Sequence, residues 1–431
     1  MNRRKFCVCI GMILLVCLGQ SSSAQYITVP FPLGLMGPSV DNFPPSLGLL
    51  SEKLADVSAG GFNAVYEFRS HQDISGAEDY LSQASAVRLQ VIQNLPTCRA
   101  YENDLTECLN DPVDIWTEAE WATFISTLST HDNLIAWYLP DEIRDLGAAA
   151  NLYEWVHTYD PLDRPVYANP GTLEQAVVNQ FPNFTDFLWV ACYPEHYGEP
   201  RALVTYCMNV DAAATRGTDV KYGAILQYFD NSAFGQAPHH PTARELRADS
   251  YQAIIGGARG LWYFNYEMGR ILDDNLWEAI SAVANEIAGT GGLDDVILAP
   301  DVPQGIVKRI VSGPTQSPPV YGKIYDSIQT LQEWREGDGT YLFAVNVATD
   351  TVRVEFSNLL AETDTVQVLF EPRTIPITDD HFSDTFVPDD VHIYFYAASH
   401  PARPPIFLPL VVRNAGFSVG GAGRCRRSFG F

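Results

Sequence analysis

The stretch Leu134-Ile135-Ala136-Trp137-Tyr138-Leu139-Pro140-Asp141-Glu142 runs an apolar segment into a proline and then two adjacent carboxylates. A short apolar run closed by a turn residue reads as a strand buried on both faces, as in a parallel sheet covered by helices.

The same unit recurs on both sides of it. Leu33 to Gly37 is the first such run; Leu47, Leu50, Leu54 and Val57 follow at helical spacing, and Gly60-Gly61 ends that helix. Phe62 to Phe68 reads as the second strand, with a helix across Asp79 to Arg88. Leu89 to Leu95 reads as the third, with a helix around Trp116 to Leu128. The quoted stretch is the fourth, and its helix spans about Ala148 to Thr158, ending before Asp160-Pro161. Further strands are expected at Val166–Asn169, Phe187–Cys192, Tyr222–Tyr228 and Gly260–Asn265. Tyr251, Ile254, Ile255 and Ala258 mark one helix face, and Leu276, Ile280, Val283, Ala284 and Ile287 mark another. Eight strand-then-helix units within residues 25–299 match a closed (β/α)8 TIM barrel, whose usual size is about 250 residues. An open doubly wound sheet is disfavoured, because the first turn carries no G-x-G-x-x-G phosphate loop.

The pattern changes near Pro300. Val352-Arg353-Val354-Glu355-Phe356 and Val391-His392-Ile393-Tyr394-Phe395-Tyr396 alternate with period two, and Tyr341–Val347 and Val366–Phe370 are further strand candidates. Residues 300–400 are therefore expected to form a small antiparallel β-sandwich, and 401–431 a C-terminal tail. The fold class is α/β, a barrel followed by a β-sandwich.

The N-terminus speaks to location. Arg3, Arg4 and Lys5 precede the apolar run Phe6 to Leu18, and Ser21-Ser22-Ser23-Ala24 supplies small residues for cleavage. Residues 1–24 thus read as a signal peptide, too short to span a bilayer, and the expected location is secreted or extracellular, with cell-surface association an alternative. The net charge of −25 disfavours nucleic acid and anionic membranes as partners. Three of the eight cysteines would leave with the leader. In an oxidising compartment Cys98–Cys108 and Cys192–Cys207 are expected as local disulfides, with Cys425 left odd. No C-x-x-C or H-x-H motif points to a metal, and no cofactor is expected.

Barrels of this kind place their chemistry at the C-terminal ends of the strands. There, Asp141-Glu142 after Trp137 and Tyr138 resembles the acid/base site of the large (β/α)8 glycoside hydrolase superfamily called clan A. The resemblance covers the whole barrel in rhythm, and Asp141-Glu142 and the aromatic strand ends in residue type. It implies hydrolysis of O-glycosidic bonds in a poly- or oligosaccharide, with Glu142 as the general acid. Cleaving such a bond takes one protonated carboxyl for the leaving oxygen and a second carboxylate across the bond. A carboxyl beside aromatic rings and Asp141 would have its pKa raised, as that role requires. The superfamily's second glutamate ends the seventh strand, where this chain has Gln227 in Leu226-Gln227-Tyr228. Glu267, after the eighth strand, and Glu195, in Cys192-Tyr193-Pro194-Glu195-His196, are the candidate partners; a wide separation from Glu267 would suit an inverting reaction. Asp141, Glu67, Arg69, Trp137, Tyr193, Gln227 and Tyr266 are expected to contact a carbohydrate substrate, whose apolar faces stack on aromatic rings. The missing glutamate favours an alternative: a non-catalytic carbohydrate-binding or cell-surface protein on the same barrel.

Overall fold

The computed structural model of the protein describes residues 31–39, 45–66, 74–95, 117–272, 274–289, 292–299, 305–335 and 339–398. The expected leader 1–24, Glu67, Arg69, the Cys98–Cys108 pair and the tail 401–431 lie outside these residues.

Eight parallel strands close into a barrel in chain order: β1 (Leu33–Met36), β2 (Ala64–Tyr66), β3 (Gln90–Asn94), β4 (Leu134–Tyr138), β5 (Val166–Ala168), β6 (Phe187–Cys192), β7 (Lys221–Gln227) and β8 (Leu261–Phe264). β8 pairs back onto β1, with Met36 beside Phe264. Every expected strand position carries a strand. Because successive side chains of a strand point to opposite faces, each strand feeds two cores. Leu35, Val65, Val91, Trp137, Val190, Leu226 and Tyr263 face outward and pack under the helices. Met36, Tyr66, Ile92, Tyr138, Tyr167, Trp189, Ile225 and Trp262 face inward and fill the barrel.

That interior is unusually aromatic. Trp189 and Trp262 lie 4.8 Å apart, and Tyr66 and Tyr138 4.4 Å apart, between ring centroids. Space for these rings comes from small residues opposite them. A Cβ on Gly34 would fall 2.4 Å from Cζ3 of Trp262, so only glycine fits there.

Most strands are followed by a long helix: Leu50–Ala59, Ile74–Ala86, Glu118–Leu128, Leu146–Tyr159, Leu203–Ala214, Ala243–Ile255 and Asp274–Ile287. Two begin with a reciprocal cap, Thr117 with Glu120 and Thr242 with Glu245, each hydroxyl accepting the glutamate's N–H while the carboxylate accepts the threonine's. The unit after β5 departs from the rhythm. Pro170, Gly171 and Pro182 interrupt it, and its α-helix is only Gln175–Val178. At the N-terminal end of the barrel, His157 bridges two carboxylates, Asp163 at 2.5 Å and Asp186 at 3.3 Å.

The C-terminal region is a sandwich of two antiparallel sheets. Its strands are β9 (Val307–Ser312), β10 (Ile328–Arg335), β11 (Gly339–Asn346), β12 (Val352–Ser357), β13 (Thr365–Val368), β14 (Arg373–Pro376), β15 (His381–Phe386) and β16 (Val391–Tyr396). Five form one sheet in the order β10-β11-β16-β13-β14, and three form the other, β15-β12-β9. One face of the five-stranded sheet packs on the second sheet through Leu342, Val366, Val368 and Tyr394. Phe343, Val345 and Ile393 on the other face join the barrel core, and Phe343 stacks on Tyr251 at 6.2 Å. The helix Ala243–Ile255 is consequently covered on all sides beyond its first turn, with every residue from Ala248 to Ile254 buried. Among the described residues no helix is long and apolar enough to cross a membrane.

Candidate active site

The C-terminal ends of the strands bring one carboxylate pair to the open end of the barrel. β4 ends on Tyr138, whose inward ring positions its hydroxyl to donate to Oδ1 of Asp141 at 2.8 Å. Asn169, just past β5, donates its side-chain N–H to the same oxygen at 3.0 Å, while its own Oδ1 accepts the N–H of Gly171. Burial raises the Asp141 carboxyl above its ordinary range, although both donors pull the other way.

Glu142 follows in the left-handed region, with φ of 53°. An L-residue there costs roughly 1–2 kcal/mol, so the surroundings must hold it. Gly171 does so by being glycine: it has φ of 61°, and a Cβ on it would lie 2.7 Å from Cβ of Glu142. The side chain of Glu142 therefore rests against bare backbone. Its carboxyl is also raised, first by burial and then by the charge of Asp141, with Arg144 opposing.

Tyr193, after β6, shares this opening. Its hydroxyl is raised well above its ordinary value by burial, and the charges of Asp141 and Glu142 add to the effect. Its ring stacks on Tyr197 at 5.9 Å and on Phe264 at 6.4 Å, and meets Phe229 edge-on at 5.1 Å. Tyr197 and Phe234 end this aromatic wall in solvent, both about half exposed.

The other expected site residues are placed differently. Trp137 faces the helices, not the mouth: it is fully buried, and its indole N–H donates to Asp160 at 2.8 Å. Tyr138, one position on, takes the inward place. Tyr266 is likewise buried on the outside of the barrel, with its hydroxyl on Asp56 at 2.9 Å and its ring against Trp277. Glu267 packs against the segment that follows β1, where Oε1 accepts the N–H of Ser39 at 2.5 Å and lies 3.7 Å from the buried ammonium of Lys53. Glu195 is paired with Arg201 at 2.6 Å and is almost wholly buried. Gln227 is 1% exposed, with both ends of its amide hydrogen-bonded.

The expected Cys192–Cys207 disulfide is absent. Both are free, buried thiols; Cys192 ends β6, its thiol donating to the carbonyl of Val190 at 3.6 Å, and Cys207 lies on the helix Leu203–Ala214. Among the described residues no group of three or more His, Cys, Asp or Glu side chains is arranged to hold a metal ion.

Two contributors escaped the sequence reading, Asn169 and Gly171. Their signal was Asn169-Pro170-Gly171 at the end of the fifth strand, a turn beside the one that carries Asp141-Glu142.

No family model matches the chain, and no curated protein matches it in sequence. Solved structures do resemble it. An α-amylase from Anoxybacillus superposes with a TM-score of 0.57 at 11% identity, over 86% of this chain and 98% of that one. A β-L-arabinopyranosidase from Geobacillus stearothermophilus gives 0.53 at 10%, over 88% and 99%. An α-amylase from Geobacillus thermoleovorans, solved with acarbose, gives 0.52 at 11%, over 86% and 98%. At such identities the likeness is one of fold. The chain has the barrel-and-sandwich architecture of these glycoside hydrolases, as the resemblance at the fourth strand implied.

Proposed function

We propose that the chain is a secreted glycoside hydrolase that cleaves O-glycosidic bonds in a poly- or oligosaccharide, with Glu142 as the general acid. The observation that carries this reading is the Asp141–Glu142 pair at the end of β4. Both carboxyls bind their protons more tightly than usual, and Glu142 is exposed at the opening. A carboxyl that keeps its proton closer to neutrality can give it to a leaving glycosidic oxygen. Tyr138 and Asn169 hold Asp141 in place, and the charge of Asp141 sustains the proton on Glu142. Tyr193 and Tyr197 offer ring faces for a sugar beside that proton. Of the two partner carboxylates, Glu267 would have to act from within its contacts with Lys53 and Ser39, and Glu195 from within its pair with Arg201. Secretion is supported by the cationic and apolar leader at residues 1–24.

Those same contacts favour a second reading, a carbohydrate-binding protein without hydrolysis. With Glu195 and Glu267 engaged and an amide at Gln227, binding alone is the simpler use of the opening.

Glu142→Gln tested against a polysaccharide panel decides between them. Hydrolysis by the native protein that is lost in the variant, with binding retained, supports the enzyme. Binding without hydrolysis in the native protein supports the second reading. Unchanged hydrolysis in the variant removes Glu142 from the mechanism.

A further inference from the structure

Arg201 stands just before the helix Leu203–Ala214 with only 10% of its side chain exposed. Its nitrogens meet four carboxylates. Nη2 contacts Glu195 at 2.6 Å and Glu245 at 2.7 Å, Nη1 contacts Asp249 at 2.9 Å, and Nε contacts Asp389 at 3.1 Å. These come from three separate parts of the fold. Glu195 lies in the one-turn helix Pro194–Tyr197 of the segment after β6, Glu245 and Asp249 on the helix Ala243–Ile255, and Asp389 in the turn between β15 and β16.

A guanidinium presents its donors in a rigid planar fork, so fixing some of its partners fixes the direction of the rest. Asp389 and Asp249 set the Nε and Nη1 edges, which leaves Nη2 aimed between Glu195 and Glu245. Glu195 depends on that nitrogen: its second oxygen, Oε2, is buried without a hydrogen bond. The backbone of the same loop is held from below, where Gln227 accepts the N–H of His196 and Asn231 donates to the carbonyl of Glu195. Two residues upstream of Glu195 is Tyr193, the ring that stacks on Tyr197 and Phe264 in the aromatic wall of the opening.

We propose that the C-terminal sandwich is a positioning part of the candidate active site: Asp389 anchors Arg201, Arg201 holds Glu195, and Glu195 fixes the loop that presents Tyr193. Arg201 and Asp389 act only through Glu195 and the loop. The effect on substrate rests on the glycosidase reading, whereas the coupling from sandwich to loop does not.

Asp389→Asn tests the coupling from the far end, and Arg247→Gln is the control. Arg247 also joins barrel to sandwich, donating to the carbonyl of Val391 at 2.8 Å, but it is not on the path to Glu195. The readout is hydrogen exchange of the full-length protein over residues 193–199. In Asp389→Asn this segment should exchange roughly tenfold faster, while Arg247→Gln leaves it unchanged. Arg201→Lys, which keeps the charge and loses the fork, should accelerate the same segment further. If Arg201→Lys does not fold, Asp389→Asn decides alone. Unchanged exchange at 193–199 in a folded Asp389→Asn protein, or equal acceleration in the control, overturns the proposal. On any polysaccharide that the native protein hydrolyses, Asp389→Asn should raise KM several-fold with kcat little changed. A native protein that hydrolyses nothing ends the glycosidase reading and leaves the exchange result to judge the coupling.

Discussion

The side-chain oxygen of Gln227 accepts the backbone N–H of His196 at 3.0 Å, while its nitrogen donates to the carbonyl of Phe229 at 3.2 Å and to Oδ1 of Asn231 at 3.1 Å. The position therefore needs one atom that accepts beside another that donates twice, which the glutamine amide supplies and a carboxylate does not. A glutamate at the end of β7 would face two acceptors in a site that is 1% exposed.

Gln227→Glu should accordingly behave as a lesion and not as a restored nucleophile. It leaves a buried charge against two oxygens and should cost about 2 kcal/mol or more, read from urea unfolding midpoints. Any polysaccharide hydrolysis should fall in step with the loosened loop. A gain of hydrolysis in this variant would show that the amide is a loss of function and not a structural choice.

Glu142 and Asp141 set a direction for pH dependence. A general acid works in its protonated form, so the rate should fall as pH rises through the elevated pKa of Glu142. The charge of Asp141 contributes to that elevation, and removing it lets the Glu142 proton leave earlier. The alkaline limb of kcat/KM in Asp141→Asn should thus move to lower pH. An unmoved or alkaline-shifted limb would break the link between the two carboxyls.

Gly171→Ala probes the seat of Glu142. The new methyl would meet Cβ of Glu142 at 2.7 Å, and its own backbone has φ of 61°. The expected cost is about 1–3 kcal/mol from strain and overpacking, measured by thermal unfolding. Activity or binding should drop more than stability does, because the displaced group is the acid itself.

His157 gives a test away from the site. Its ion pairs with Asp186 and Asp163 lift its pKa from 6.5 to about 9, against the effect of burial, and Asp186 is lowered by the same contact. The folded state holds this proton more tightly than the unfolded chain. The stabilisation is complete below the ordinary histidine value and is lost as pH rises from there through about 9. Thermal midpoints of the native protein should therefore decline across that window relative to His157→Gln. Parallel curves for the two proteins would contradict this assignment.

The barrel was legible because a strand buried on both faces reads as an unbroken apolar run, whichever way each side chain points. The site was harder for the same reason. Trp137 and Tyr138 are neighbours in sequence, but a strand sends them to opposite faces, and one-residue register decides which ring meets a ligand. Tyr266 lies beyond β8, on the first turn of the short helix Tyr266–Arg270, and that turn carries its ring to the outside of the barrel. Glu195 and Glu267 do lie near strand ends, yet their partners, Arg201 and Lys53, are set by the fold, and Lys53 is more than two hundred residues from Glu267. The spacing of Cys192 and Cys207 foretold their proximity; it carried no information on whether sulfur bonds to sulfur or to hydrogen.

The helix Ala243–Ile255 shows why this barrel is a poor unit to excise. A peripheral helix of a free-standing barrel would turn a wet stripe outward, but here Tyr251 and its neighbours lie beneath the five-stranded sheet. A gene cut near residue 300 would encode a protein with an oily seam along one flank, no cover for Arg247, and the fourth carboxylate removed from Arg201. Such a fragment should aggregate, and recombination that swaps the sandwich for an unrelated module would have to supply a matching seam. Barrel and sandwich share one continuous apolar core, so the two should fold and unfold together.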